Sequence, residues 1–151
     1  MNTLMNTQEM LGAFGYVAAL TLPAIGSLVG TNAAGMAALG AWKKCFLENR
    51  PAPFLLVAFV GAPLSQTIYG LILMNAVRAA PDAVAPLTRF TIGLIGGLIL
   101  GASAWIQGRA GALASDAHAA SGKGFGNFII VIGIIETVAL MAMVFFMTAL
   151  K

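Results

Sequence analysis

The sequence predicts an all-α membrane protein with four transmembrane helices. Its 151 residues are 60% hydrophobic and only 9% charged, a composition far outside that of soluble globular proteins. A helix needs roughly 20 consecutive apolar residues to cross a bilayer. Four runs are long enough, at about 11–39, 54–77, 90–114 and 127–150. They fill most of the chain, so we expect no separate soluble domain.

The first run follows the leader MNTLMNTQEM, which contains Glu9 and no lysine or arginine. A secretory signal has a basic start. We therefore expect this run to be the first membrane helix rather than a cleaved signal.

Basic residues in the short polar breaks predict the topology. The breaks at 40–53 and 115–126, with their flanks, hold five basic residues, against three on the opposite side. By the positive-inside rule these two loops lie in the cytoplasm and both termini lie outside, as in a multi-pass protein of the cell membrane. The same basic residues are scattered and are not interleaved with aromatic residues, so they do not indicate nucleic-acid binding.

We assign no functional role to two other loop residues. Cys45 carries the single thiol and has no intrachain disulfide partner, and we interpret His118 as a solvated loop histidine.

The chain reads as two copies of one helical hairpin, 1–80 and 81–151. Each half has a glycine-rich helix, a polar loop and a bulkier second helix with one polar interruption. In register, Gln66 of the second helix matches Glu136 of the fourth helix, 70 residues further on.

Small residues recur at four-residue spacing in the first helix of each hairpin. Such ladders allow close backbone packing between membrane helices. One ladder alone is equally typical of a close helix pair within a protomer, whereas two equivalent ladders favour a rotationally symmetric assembly in which helices one and three form a tight inner layer. The ladder residues are Gly26, Gly30 and Ala34 in the first helix and Gly93, Gly97 and Gly101 in the third.

Glu136 is the only acidic residue inside the four predicted helices. A charge at the bilayer centre costs about 3 kcal/mol on insertion scales, so a membrane carboxylate predicts a functional site. No lysine or arginine lies at its depth. We therefore expect its counter-charge to be a bound cation or a proton.

Oxygen donors lie at a matching depth. Gln107 lies seven residues before the end of the third predicted helix, and Glu136 lies nine residues after the start of the fourth. Both ends border the 115–126 loop, so at 1.5 Å per residue the two side chains lie about 10 and 14 Å from the same side of the membrane. The second helix places four residues on one face, and Pro63 within that face frees a backbone carbonyl. These four residues are Ala62, Ser65, Gln66 and Tyr69. An all-oxygen site for one hard monovalent cation follows, although each polar residue alone is also typical of helix-to-helix hydrogen bonding.

Three segments, APLSQTIYG, IQGRAG and IIETVAL, together with the duplicated hairpin, resemble the proteolipid, or K subunit, of V-type sodium-translocating ATPases. The resemblance covers essentially the whole chain. It implies a non-catalytic subunit of a homo-oligomeric rotor ring in the lipid bilayer. It also implies two partners: a stator membrane subunit with a buried arginine and the central-stalk subunit of the ATPase.

The resemblance also implies a role for each site residue. Glu136 would be the ion-binding carboxylate, and Tyr69 would hydrogen-bond it and hold the site closed. The family more often has threonine at Ser65, which keeps the oxygen, and a larger apolar residue at Ala62, which changes the packing. The implied Na⁺ ligands are the side chains of Glu136, Gln66, Gln107 and Ser65 and the backbone carbonyl of Ala62, and Thr137 completes a Glu-Thr pair similar to the sodium signature of smaller F-type ring subunits.

Sodium is the first choice of ion and no organic cofactor is expected. Lithium is a competitor, and protons are the alternative at low sodium, although proton-translocating relatives usually lack this set of glutamine and hydroxyl ligands. A more distant alternative is a small multidrug-type exchanger. Its essential glutamate lies among aromatic residues in the first of four helices, whereas Glu136 lies in the fourth. A ring member with an inactive site would not need the Glu136 carboxylate, which this chain retains. An enzyme is not predicted, because the sequence does not bring together a nucleophile, a base and an orienting group.

Overall fold

The computed structural model describes residues 2–151, with side chains from Thr7 onward. All regular structure in this part of the chain is helical. The elements are α1 (Asn2–Leu47), α2 (Leu56–Gly61), a 3₁₀ turn (Ala62–Leu64), α3 (Ser65–Arg78), α4 (Pro86–Ser121) and α5 (Phe125–Thr148). The first three residues of APLSQTIYG form the 3₁₀ turn. Because α2, this turn and α3 follow one another without a gap, they make one continuous span, Leu56–Arg78.

Within the described residues, four helices are long and apolar enough to cross a membrane, which confirms the predicted all-α fold. The second and fourth spans, 23 and 24 residues long, measure about 35 Å at 1.5 Å per residue, close to the thickness of a bilayer core. The 36-residue α4 is about half as long again. The division into hairpins 1–80 and 81–151 stays a prediction.

The predicted loop at 115–126 is wrong in extent, because α4 continues to Ser121. Only a tight connection remains, in which Gly122 and Gly124 adopt positive φ angles of 67° and 80°. Glycine accepts this conformation without a Cβ penalty and ends the helix. The first loop is likewise shorter than predicted, since α1 reaches Leu47.

Two residues assigned to loops are therefore buried in helices. His118 is 6% exposed and Cys45 is 1% exposed. The interpretation of His118 as a solvated loop residue is wrong: its ring lies 6.5 Å from that of Phe59 and 5.8 Å from that of Phe125. Its Nδ1 donates a hydrogen bond to the Lys123 carbonyl at 3.0 Å. His118 thus packs against α2 and the start of α5 near the C-terminal end of α4.

Helices α1 and α4 pack backbone against backbone along the predicted glycine ladders. A Cβ atom added at Gly26 would overlap the backbone of Gly101, and one added at Gly93 would overlap Gly15. Gly108, which is not among the predicted ladder residues, faces Gly30 in the same way. The ladders therefore join α1 to α4 inside one protomer, and their part in a ring stays a prediction.

The apolar core is split into two clusters. One cluster centres on Leu73, Val77 and Leu100, and the other on Cys45, Leu56 and Phe59. Helix α5 is the outermost element: it buries only Ile132, Ala139 and Met143, and most of its other side chains are exposed. This arrangement puts α1 and α4 in one layer and α3 and α5 in another, with polar groups at mid-depth.

Candidate ion-binding site

Glu136 on α5 faces Tyr69 on α3. The Tyr69 hydroxyl donates a hydrogen bond to Glu136 Oε1 at 2.8 Å, and both side chains are partly buried. This is the contact that the sequence resemblance implies. Glu136 Oε2 has no hydrogen-bond partner among the described residues, so half of the carboxylate remains open to a ligand.

A chain of hydrogen bonds connects the neutral polar residues beside this pair. Ser65 Oγ shares its single proton between the Ala62 carbonyl at 2.9 Å and Gln66 Oε1 at 3.2 Å. Gln66 Nε2 donates to Gln107 Oε1 at 2.9 Å. Gln107 Nε2 in turn donates to the Ile132 carbonyl of α5 at 3.2 Å. Both glutamines are 0% exposed. Each carboxamide oxygen accepts one bond and keeps one lone pair for a cation.

The 3₁₀ turn positions the remaining predicted ligand. Pro63 is the second residue of the 3₁₀ turn and has no backbone N–H to donate, and the helix tightens to 3₁₀ geometry at this point. The Ala62 carbonyl accepts both the amide and the hydroxyl of Ser65, the hydroxyl at 2.9 Å. Coordination of a cation by this carbonyl would therefore require the Ser65 hydroxyl to turn toward the cation as well.

Two buried serines, neither of them predicted from the sequence, brace the site from the inner helices. Ser27 of α1 is 2% exposed and donates a short hydrogen bond to the Pro63 carbonyl. Ser103 of α4 is 7% exposed and donates at 3.2 Å to the carbonyl of Ile135, the residue before Glu136. In each half of the chain, a serine of the inner helix thus fixes a backbone carbonyl of the outer helix.

Thr137 is not part of this network. Its side chain is exposed, and its hydroxyl donates to the Gly133 carbonyl of its own helix at 2.8 Å. Successive residues of a helix point about 100° apart, which turns Thr137 away from the face that carries Glu136.

The site contains one formal charge. The ion pairs found among residues 7–151 join Arg50 to Glu48 and Arg89 to Asp82, and neither involves Glu136. That part of the chain also contains no cluster of histidine, cysteine and acidic side chains that would hold a transition metal. One carboxylate beside neutral oxygen donors matches the charge and the ligand preference of a single hard monovalent cation.

Four membrane-length helices define a multi-pass membrane protein, and one carboxylate, that of Glu136, lies near the middle of the fourth span. Residues 90–149, the second predicted hairpin, match the family model of the ATP synthase C subunit. This match supports the rotor proteolipid family, whose members are non-catalytic, ion-translocating proteins that form homo-oligomeric rings against a stator. A comparison with curated proteins gives no match.

Proposed function

We propose that this protein is the rotor-ring subunit of a V-type ATPase and carries Na⁺ across the membrane on Glu136. The observation that carries the proposal is a tyrosine-bound carboxylate on α5 together with two fully buried, hydrogen-bonded glutamines, one of which bonds the α5 backbone one turn before Glu136. The ligands proposed for Na⁺ are Glu136, Gln66, Gln107 and Ser65 and the Ala62 carbonyl, with Tyr69 holding the carboxylate.

Ion binding makes the rotor able to move through lipid. A bare carboxylate facing hydrocarbon is expensive, whereas a carboxylate paired with Na⁺ carries no net charge. When rotation brings Glu136 to the stator, the field of the stator arginine and its aqueous access favour ion release, and the emptied carboxylate pairs with the arginine until the next ion enters. Tyr69 holds the loaded carboxylate in place between these events.

The small number of ions carried for each ATP hydrolysed suits an ATP-driven pump. Each unit charge moved against a membrane potential costs about 2.3 kcal/mol per 100 mV. One carboxylate for four helices gives fewer ions per turn than one carboxylate for two helices, so each ATP moves fewer ions against a steeper gradient. Identical subunits, a stator with a buried arginine and a central-stalk subunit are the proposed partners, with both termini outside and the 40–53 and 115–126 segments on the cytoplasmic side.

The neutral oxygen donors favour Na⁺ over a proton as the transported ion. A proton needs the carboxylate alone, whereas Na⁺ must replace its hydration shell with several oxygen ligands. The buried Gln66–Gln107 pair and the Ser65 hydroxyl provide these oxygens. A proton-carrying ring is the alternative if cation binding to these residues is absent.

The ligand set is tested by Gln107→Ala. The change removes one oxygen donor and also leaves Gln66 Nε2 without its acceptor, so we expect Na⁺ affinity to fall by about tenfold or more. The measurement is ²²Na⁺ binding to the purified protein. Thr137→Val is the matched control, because it removes an exposed hydroxyl that bonds only its own helix, and it should leave the affinity within about twofold. Equal losses in both variants would contradict the assigned ligands.

The hydrogen bond from Ser103 to the Ile135 carbonyl predicts a smaller effect for Ser103→Ala. Loss of the bond to the Ile135 carbonyl frees the backbone beside Glu136, and the loss of about 1 kcal/mol typical of one hydrogen bond corresponds to about a fivefold lower Na⁺ affinity. Ser115 on the same helix is the control: it is 0% exposed, but its Oγ has no hydrogen-bond partner among the described residues. Ser115→Ala should therefore leave Na⁺ binding unchanged, and an equal loss there would mean that Ser103 acts only through general packing.

A further inference from the structure

A cavity of about 220 Å³ that contains several charged side chains in its lining lies at the end of the molecule where the chain passes from α3 to α4. We call it the terminal pocket. Residues of α1, the end of α3 and the start of α4 line it, so it joins the two predicted hairpins. Glu9, Tyr16, Arg78 and Arg89 supply its polar groups, and the rest of its lining is glycine, alanine, valine and proline.

The terminal pocket lies where the membrane spans end. Helix α3 ends at Arg78 and α4 begins at Pro86, so both arginines belong to the boundary between hydrocarbon and water. Arginine and tyrosine side chains at this level typically contact lipid headgroups. Basic pockets between membrane helices are a recognised means of binding lipid phosphate.

Arg89 is held in a fixed position beside the pocket. Its Nη2 donates to the carbonyls of Ala80 and Pro81 at 3.0 and 2.8 Å. The same atom lies 3.8 Å from the carboxylate of Asp82. Its Nη1 has no protein partner among the described residues. A guanidinium positioned in advance loses little conformational freedom when it binds an anion.

Arg78 contributes a second guanidinium that the protein leaves unsatisfied. Its side chain is exposed and makes no hydrogen bond or ion pair with any residue in the described part of the chain. Two guanidinium groups on one cavity favour a phosphate. Arg78 can bind it through two N–H donors, whereas Arg89, whose Nη2 is already bonded to two carbonyls, offers its Nη1. Glu9 lines the same cavity without an ion pair to either arginine among residues 7–151, and its carboxylate suits a primary ammonium group.

We propose that the terminal pocket binds the headgroup of a phospholipid that carries both a phosphate and a primary amine. The phosphate lies against Arg78 and Arg89, and the amine lies against Glu9. A zwitterion of this kind satisfies all three charged side chains, whereas an anionic headgroup without an amine leaves the Glu9 carboxylate facing like charge. A bound lipid would link α1, α3 and α4 at this end of the protomer.

The test is lipid add-back to the delipidated, detergent-solubilised protein, with bound lipid counted by native mass spectrometry. Phosphatidylethanolamine should bind more tightly than phosphatidylglycerol or phosphatidylcholine. Arg78→Gln should weaken phosphatidylethanolamine binding about tenfold, the size expected for loss of a charge-assisted contact. Glu9→Gln should remove the preference over phosphatidylglycerol.

Lys151→Gln is the matched control, because it makes the same change in charge at the same end of the molecule, where Lys151 lines a different cavity. It should leave lipid binding within about twofold. Equal losses in Arg78→Gln and Lys151→Gln would overturn the proposal in favour of unspecific surface charge. Displacement of the lipid by millimolar inorganic phosphate would overturn it in favour of a free-anion site. Equal binding of the three lipids would also overturn it, because the primary amine would then make no contribution.

Discussion

Replacing Glu136 with glutamine is expected to abolish ion transport by the assembled complex, to background level. The glutamine keeps the size of the side chain and an oxygen that Tyr69 can bond, but it cannot neutralise a cation. The fold should survive, because the variant removes a partly buried charge from the membrane rather than adding one. The measurement is Na⁺ uptake into reconstituted vesicles, together with gel electrophoresis of the oligomer and carbodiimide labelling.

Asp116→Asn is the control for this variant. Asp116 is an exposed carboxylate on α4, outside the polar network, so its loss should leave transport and labelling as in the original protein. Transport by Glu136→Gln at more than a small fraction of the normal rate would contradict the assignment of Glu136 as the ion carrier. Loss of the oligomer in that variant would instead give the residue an assembly role that the proposed mechanism does not include.

The second large effect is expected for Gly97→Leu, which should eliminate the high-mass oligomer in detergent gels. A Cβ atom at Gly97 would lie 2.5 Å from the carbonyl oxygen of Ala18 and 3.3 Å from Leu22 Cδ1. The first of these is backbone and has no rotamer to change, so α1 must move away from α4. Overpacking typically costs about 1–3 kcal/mol, and a clash with backbone lies at or beyond the upper end of that range.

Gly40→Leu provides a matched control on the other inner helix. Gly40 lies in α1, and a Cβ atom there would meet nothing within 4 Å. That variant should assemble normally and unfold at the same temperature as the original protein. If Gly97→Leu also assembles normally, the close packing of α1 on α4 is not required for the oligomer.

The membrane class and the number of spans could be predicted from the sequence because burial in lipid demands long apolar runs. The helix ends could not. Polar residues such as Asp116 and His118 indicate where the apolar run stops, yet α4 continues past both to Ser121. Hydrogen bonding within the backbone propagates a helix through such residues until Gly122 ends it.

Some contacts of the site could likewise be predicted from the sequence, and others could not. The predicted depths put Gln107 and Glu136 at a similar level, and Gln107 bonds the Ile132 carbonyl one turn before Glu136. The resemblance implies the bond from Tyr69 to Glu136, which is present, whereas the bond between Gln66 and Gln107 is a finding of the structure. Ser27 and Ser103 could not be predicted, because a serine among glycines and alanines reads as a small packing residue and its hydrogen bond depends on which carbonyl the neighbouring helix presents. The resemblance includes Thr137, and the rotation of that residue about α5 excludes it from the network.

The most direct test of the proposed function is carbodiimide labelling of Glu136 in the purified protein, at several pH values, with and without Na⁺. Carbodiimide reacts with the protonated carboxyl, so a cation that occupies the carboxylate blocks the reaction. We expect Na⁺ to protect Glu136 in the original protein while K⁺ at the same concentration does not. Labelling that is unaffected by Na⁺ across the pH range would contradict sodium as the transported ion and would leave a proton as the ion carried by Glu136.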